Sequence, residues 1–358
     1  MNYFGLFPRY QVNRPLSKAE LNNQLAQKEK LDIEPYSNLC VIKMNSTFLE
    51  SVDKWYAWRG SLSVFALPPI VTVLVILAGM ILEAFAKSDG LKLQSYDIET
   101  MLALTMCLMP MFFIGIWLLR KEWFSLTHYP VRFNRKKQLV HVFHTDGTVS
   151  TTPWDEIFFT LGHMPRLHDW EIRGHILDPN TSLIQRTFSL SYTGPLYLDH
   201  NGQRPKNLSE YDLLLAHWEF IRRYMEEGPD AVSCQVQFCM PLDGRKESIR
   251  IGIERMLANI ACVYVPVYLM MLPLCAIFSL NRIFAMCTSK IPEWPSEVEA
   301  DCSVENDDPY AITGNQSGDR VAVYPEAAAA AGVEFRPRRI ADGRLKLRPS
   351  YPSTQLMR

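Results

Sequence analysis

The chain carries almost no excess charge of either sign: 37 lysines and arginines stand against 38 aspartates and glutamates over 358 residues, a formal net charge of −1. A nucleic-acid partner is thereby disfavoured, because such proteins carry a basic excess to meet the phosphates. The eight cysteines contain no CxxC zinc spacing, and Cys234 and Cys239 stand too far apart to make one. All eight are expected as unpaired thiols. The opening residues, Met1 to Pro15, lack an apolar core, so no cleavable signal peptide is expected. GxSxG, the Walker A loop and GxGxxG are all missing. Without those hydrolase and nucleotide fingerprints, neither an enzymatic role nor a cofactor is expected.

What the sequence does have is three long apolar blocks. Residues 61–82 contain no charge and, at about 22 residues or roughly 33 Å of helix, can cross the hydrocarbon core. Residues 101–119 are also charge-free and, at about 19 residues, sit near the lower limit for a crossing. Pro68, Pro69 and Pro110 are tolerable inside such helices, because neighbouring helices can satisfy the freed carbonyls. Lys54 and Arg59 precede the first block, and Arg120 and Lys121 follow the second, whereas the loop between them has only Lys87 and Lys92 beside Asp89, Asp97 and Glu99. The positive-inside rule then puts the N-terminus and the chain after Arg120 in the cytoplasm. The third block, residues 256–281, is long enough to cross with tilt. The basic residues before it (Arg245, Lys246, Arg250, Arg255) favour a third crossing with the tail outside. Pro266 and Pro273 leave open a re-entrant path that returns the tail to the cytoplasm.

The segments between the blocks read as soluble structure. Ser17-x-x-Glu20 is a capping box, which predicts a polar helix to about Lys30. Strands are expected at 130–135, 138–144, 148–152, 157–161, 169–177 and 182–191, with a short seventh at 196–198 and Asp146-Gly147 as a hairpin turn. Ser209-x-x-Asp212 then opens a helix to about Glu227, with Leu214, Trp218, Ile221 and Met225 on one face. After Lys290 comes an acidic stretch (Glu297, Glu299, Asp301, Glu305, Asp307, Asp308), then an alanine run and a basic end. That composition predicts disorder.

Three groups are candidate sites. His163, His168 and His175 surround a turn, but without H-E-x-x-H spacing or a fixed carboxylate they read as ordinary polar histidines. Trp154-Asp155-Glu156 places a ring beside two carboxylates, which reads better as a turn with Trp154 in the core than as a catalytic acid pair. Arg132, Arg135, Lys136 and Lys137 follow a membrane exit, where anionic headgroups attract basic residues at roughly 1 kcal/mol each. They are the candidate anionic-lipid contact, set against a role in orienting the helices alone.

A run of antiparallel strands closed by one amphipathic helix is the order of a pleckstrin-homology-like barrel, and the chain resembles the membrane-tethered bacterial versions in which a transmembrane hairpin precedes the barrel. YPVRFNRKKQLVHVF, DGTVSTTPWDEIFFTLG, WEIRGHIL and HWEFIRRYMEEGP resemble more specifically an uncharacterised proteobacterial membrane family often encoded near type VI secretion effectors. The expected class is an α+β membrane protein: a transmembrane helical hairpin plus a third membrane helix, with a pleckstrin-homology-like antiparallel β domain capped by an α-helix. Its expected parts are an N-terminal cytoplasmic arm (1–60), the hairpin (61–123), the β domain (124–230), a connector with the third helix (231–290) and a disordered tail (291–358). The resemblance implies a multi-pass inner-membrane protein that binds a toxin as an immunity or accessory factor. The alternative is a scaffold whose β domain binds anionic lipid headgroups or a protein partner.

Overall fold

The computed structural model describes residues 9–33, 35–37, 40–88, 95–164, 169–190, 210–233, 236, 239–260, 265–314, 334–339 and 345–350. The strand expected at 196–198, the cap at Ser209, His168 and the alanine run lie outside them. The chain divides into two compact units. The first takes Met1–Trp58, Leu126–Cys275 and Ile291–Arg358; the second takes Arg59–Ser125 and Ala276–Lys290.

The first unit is built on strands β1 (Val41–Met44), β2 (Phe48–Ser51), β3 (Val131–Asn134), β4 (Leu139–Phe143) and β5 (Val149–Pro153). With a short β9 (Ile312–Thr313) they form one sheet, ordered β5-β4-β3-β2-β1-β9 and antiparallel throughout. A second antiparallel sheet comprises β6 (Ile157–Met164), β7 (Asp169–Leu177) and β8 (Ile184–Ser189). Helix α4 (Glu210–Glu226) and a single turn, α5 (Asp230–Ser233), follow. The core lies between the sheets and α4: Leu49, Phe133 and Val140 meet Trp154, Phe159 and Ile172, closed by Leu214, Trp218 and Ile221. The β4–β5 turn forms as read, since Gly147 takes φ +84° and Asp146 Oδ1 accepts from the Thr148 amide at 2.9 Å.

Three expectations are corrected here. First, the β domain does not start at residue 124. Its sheet already contains β1 and β2, so the apolar helices are inserted between β2 and β3, which pair through Glu50↔Arg132 and Ser51↔Val131. Second, helix α1 (Lys18–Asn22) has its capping box but stops well short of Lys30. The chain after it joins the small sheet instead, with the Leu25 amide donating to Phe159 O and the Leu161 amide to Asn23 O. At the opposite edge the Asn13 amide donates to Ile184 O, so the arm covers both edges that would otherwise stay unpaired. Third, residues 291–314 are ordered, with α8 (Ser296–Asp301) and β9 packed in the first unit.

This third correction bears on the tail. Before the last apolar block, the Met240 amide donates to Val41 O; after it, β9 pairs with Lys43 and Met44 of the same strand. Between these flanks run α6 (Ile249–Ile260) and α7 (Val265–Thr288). Further on, β10 (Glu334–Arg339) and β11 (Leu345–Ser350) pair with each other.

His217, on α4, is fully buried, with Nδ1 3.3 Å from Tyr36 O. Burial pushes its imidazole down to about 4. Between about pH 6.5 and 4 the unfolded chain takes up a proton that the folded one refuses, so stability falls as pH drops through that window. His175 is likewise pushed down to about 4 by burial and adds to the slope. Melting temperature should therefore drop from pH 7 to pH 5, and His217→Gln should flatten the drop.

The second unit contains α2 (Ser61–Ser88), α3 (Ser95–Glu122) and the second half of α7. Three stretches, Ser61–Phe85, Ile98–Glu122 and Leu269–Thr288, are long and apolar enough to cross a membrane. Only 17% and 11% of the first two are buried despite mean hydropathies of 2.5 and 2.2, so their apolar faces need a nonaqueous surrounding. Residues α2 and α3 contribute to their joint include Ala66, Ile70 and Leu119, and at Gly115 any Cβ would fall 2.5 Å from Ile70. The Glu122 carboxylate accepts from the Leu62 and Ser63 amides at 3.0 and 2.8 Å, capping the start of α2. Arg59 donates to Glu122 O, Ser125 Oγ and Ser289 Oγ at 2.6–2.7 Å, joining the feet of all three helices.

Candidate binding face

Alternation along the strands of the large sheet sends Val131, Phe133, Val140 and Val142 into the core and their neighbours to the opposite face. That outer face carries Phe48 and Glu50 on β2, Arg132 and Asn134 on β3, and His141 and Phe143 on β4. All six are nonetheless buried. The cover is the acidic segment read as disordered. Trp294 donates from Nε1 to Glu50 Oε1 at 3.3 Å and meets the Phe143 ring edge-on at 5.2 Å. Val298 and Cys302 pack on Phe48. Asn134 Nδ2 donates to Asp301 O at 2.7 Å. Ser46 donates from its amide and its hydroxyl to Asp308, at 2.6 and 2.8 Å.

Arg132 sits at the centre, 1% exposed. Its Nε donates to Glu50 at 2.7 Å and its Nη2 to Glu299 at 2.8 Å, while the guanidinium lies 4.8 Å from the Phe48 ring and 4.7 Å from the Trp294 ring. Burial opposes its charge, but the Glu50 and Glu299 carboxylates outweigh this and hold it above its ordinary value. Two buried nitrogens here have no hydrogen-bond partner among the described residues: Arg132 Nη1 and His141 Nε2. They belong to directly opposed residues of β3 and β4.

The four basic residues singled out in the sequence fall into three settings. Arg132 lies under the cover; Arg135 is half-buried beside Gly228. Lys136 and Lys137 are exposed in the β3–β4 turn and pair with Glu305 at 2.6 Å and Asp301 at 2.5 Å. The partners were present in the sequence as an acidic run of opposite sign, and that complementarity was the available signal.

Two further polar sites occur in the first unit. Glu171 on β7 binds Lys54, Arg173 Nε at 2.5 Å and the Tyr10 hydroxyl at 3.1 Å. Burial opposes its ionisation, but Lys54 and Arg173 hold its carboxyl below the usual range. A cleft of about 260 Å³ opens between the N-terminal arm and the strands, lined by residues that include Arg9, Tyr10, His144, Asp146, Arg186 and Thr187. Of the sequence-read histidines, His175 lies 3.4 Å from Glu20 and 2.8 Å from Thr187 Oγ1. Asp155 and Glu156 are exposed on a 3-10 turn, while Trp154 is buried.

These features define an α+β protein with antiparallel sheets, three helices among the described residues apolar enough to span a membrane, and one sheet face covered by its own acidic segment. Residues 108–306 match the family of unknown function DUF6708, and with more than half of its length matched the chain belongs to that family. Neither a curated protein nor a solved structure matches it.

Proposed function

We propose that the protein is a non-enzymatic, membrane-anchored binding protein of the bacterial inner membrane that serves type VI secretion, engaging a toxin as an immunity or accessory factor. The observation that carries the anchoring is the insertion of α2 and α3 between two paired strands. A pair of membrane helices rooted in adjacent strands holds a recognition domain at the bilayer surface. The order of the first unit (a five-strand meander, a three-strand sheet, then α4) supports a pleckstrin-homology-like domain, a scaffold used for binding. The toxin partner rests on the resemblance to a family encoded near secretion effectors. A strain lacking the gene should be killed by sister cells carrying the neighbouring effector; equal survival with and without it removes the immunity reading.

In the proposed topology α2 and α3 cross, the third block re-enters, and the N-terminus, β domain and residues 291–314 are cytoplasmic. The common β1 pairing of both flanks supports the re-entrant path. Single cysteines at positions 95, 147 and 306 test it with an impermeant maleimide. Position 95 should label in intact cells, and 147 and 306 only after lysis; labelling at 306 from outside would refute the re-entrant block. The lipid-binding alternative rests on Arg132, Arg135, Lys136 and Lys137; Arg132 is buried and the pairing of Lys136 and Lys137 with Glu305 and Asp301 offsets the charge offered to a headgroup, and it stands second.

A further inference from the structure

We propose that the outer face of the large sheet is the partner-docking face, and that residues 291–308 are its built-in occupant, displaced by a partner segment of the same chemistry: acidic and anchored by a tryptophan. This rests on the reading that the protein binds a protein partner. The chain's own segment shows what the face accepts. An indole sits between Arg132 and Phe143, and carboxylates reach Arg132, Lys136 and Lys137 in turn.

The occupant is seated in a way that permits exchange. Three of its charged contacts have exposed carboxylates or ammonium groups: Glu299 is 53% exposed, Glu305 79% and Lys137 52%. The two lysine pairs, at the surface, contribute about 0–1 kcal/mol each. Its apolar anchor is small, with Trp294, Val298 and Cys302 facing Phe48 and Phe143. It is also an incomplete ligand. It leaves Arg132 Nη1 buried with no hydrogen-bond partner among the described residues, and a buried unpaired donor costs about 1–3 kcal/mol. A competing segment that brings one more carboxylate to this spot gains what the native occupant forgoes.

The test uses the wild-type protein in detergent, with a synthetic peptide of residues 291–308, its cysteine replaced by serine, as the probe. Cys302, within the segment, is 3% exposed where it packs against Phe48, so its maleimide labelling, resolved by peptide mass spectrometry, reports displacement. Excess peptide should raise that rate roughly tenfold. Scrambled peptide, or peptide with Trp294→Ala, should leave it unchanged. No acceleration at saturating peptide, or equal acceleration by the scrambled one, overturns the docking face. The killing assay reports separately: peptide displacement without any survival phenotype keeps the face and removes the type VI reading, and the reverse keeps that reading and places docking elsewhere.

Discussion

Replacing Lys54 by alanine is expected to destabilise the protein by roughly 3–5 kcal/mol, the usual cost of leaving one member of a buried ion pair uncompensated. The side chains of Lys54 and Glu171 are 3% and 1% exposed and in direct contact. Water cannot take over the role of the missing ammonium, and Glu171 is left with Arg173 and the Tyr10 hydroxyl. Glu171→Ala should cost as much, because it strands Lys54 in the same space. Lys54→Met combined with Glu171→Gln removes both charges while keeping an acceptor for Arg173, and should recover most of the loss. Melting temperatures in detergent for Lys54→Met, Glu171→Gln and their combination form a double-mutant cycle. A Lys54→Ala variant within about 1 kcal/mol of wild type would mean that solvent reaches the pair and that it behaves as a surface contact.

Lys54 also shows what the sequence could and could not convey. Read along the chain it is one of the basic flanks that orient the first helix; folded, it is an interior ion bonded to β7, a strand more than a hundred positions away. Arg59, its companion in the charge count, is 4% exposed and joined to Glu122, Ser125 and Ser289. Local patterns were legible where periodicity ran uninterrupted. The two apolar helices fall where the charge-free runs placed them, β3 to β8 follow the expected strands, and Leu214, Trp218, Ile221 and Met225 all lie in the core. Elements specified by distant partners were hidden. β1 and β2 are only four residues each, and their neighbour β3 comes after both apolar helices. The signal between them was the Asn45 side chain, which accepts from the Thr47 and Phe48 amides at 2.8 Å and shapes the hairpin turn. The segment 291–308 was hidden for a related reason. Composition weighs only the apolar residues a segment itself carries, whereas Val298 is buried and Trp294 partly buried against aromatic rings supplied from β2 and β4.

Trp154→Ala should be the most damaging single change in the core, costing about 3–5 kcal/mol. The ring is fully buried where the two sheets meet α4. It stacks on Trp218 with centroids 5.7 Å apart, lies 5.0 Å from Phe159 and meets Phe133 edge-on at 6.1 Å. Truncation opens a void touching both sheets and the helix, and none of the three can close on it without breaking its own hydrogen bonds. Trp218→Ala should cost a similar amount. The double variant should cost less than the sum, because the stacked contact and part of the void are shared. Trp154→Phe separates packing from polarity: it keeps most of the ring but loses the 2.8 Å bond from Nε1 to Glu226, a loss of about 1 kcal/mol. The neighbouring carboxylates give the contrast. Asp155 and Glu156 are exposed, and their amide variants should stay within about 0.5 kcal/mol of wild type. Denaturation midpoints across this set distinguish a turn that seats an indole from one that exists to present an acid pair. A small cost at Trp154 beside a large one at Asp155 or Glu156 would overturn the packing account.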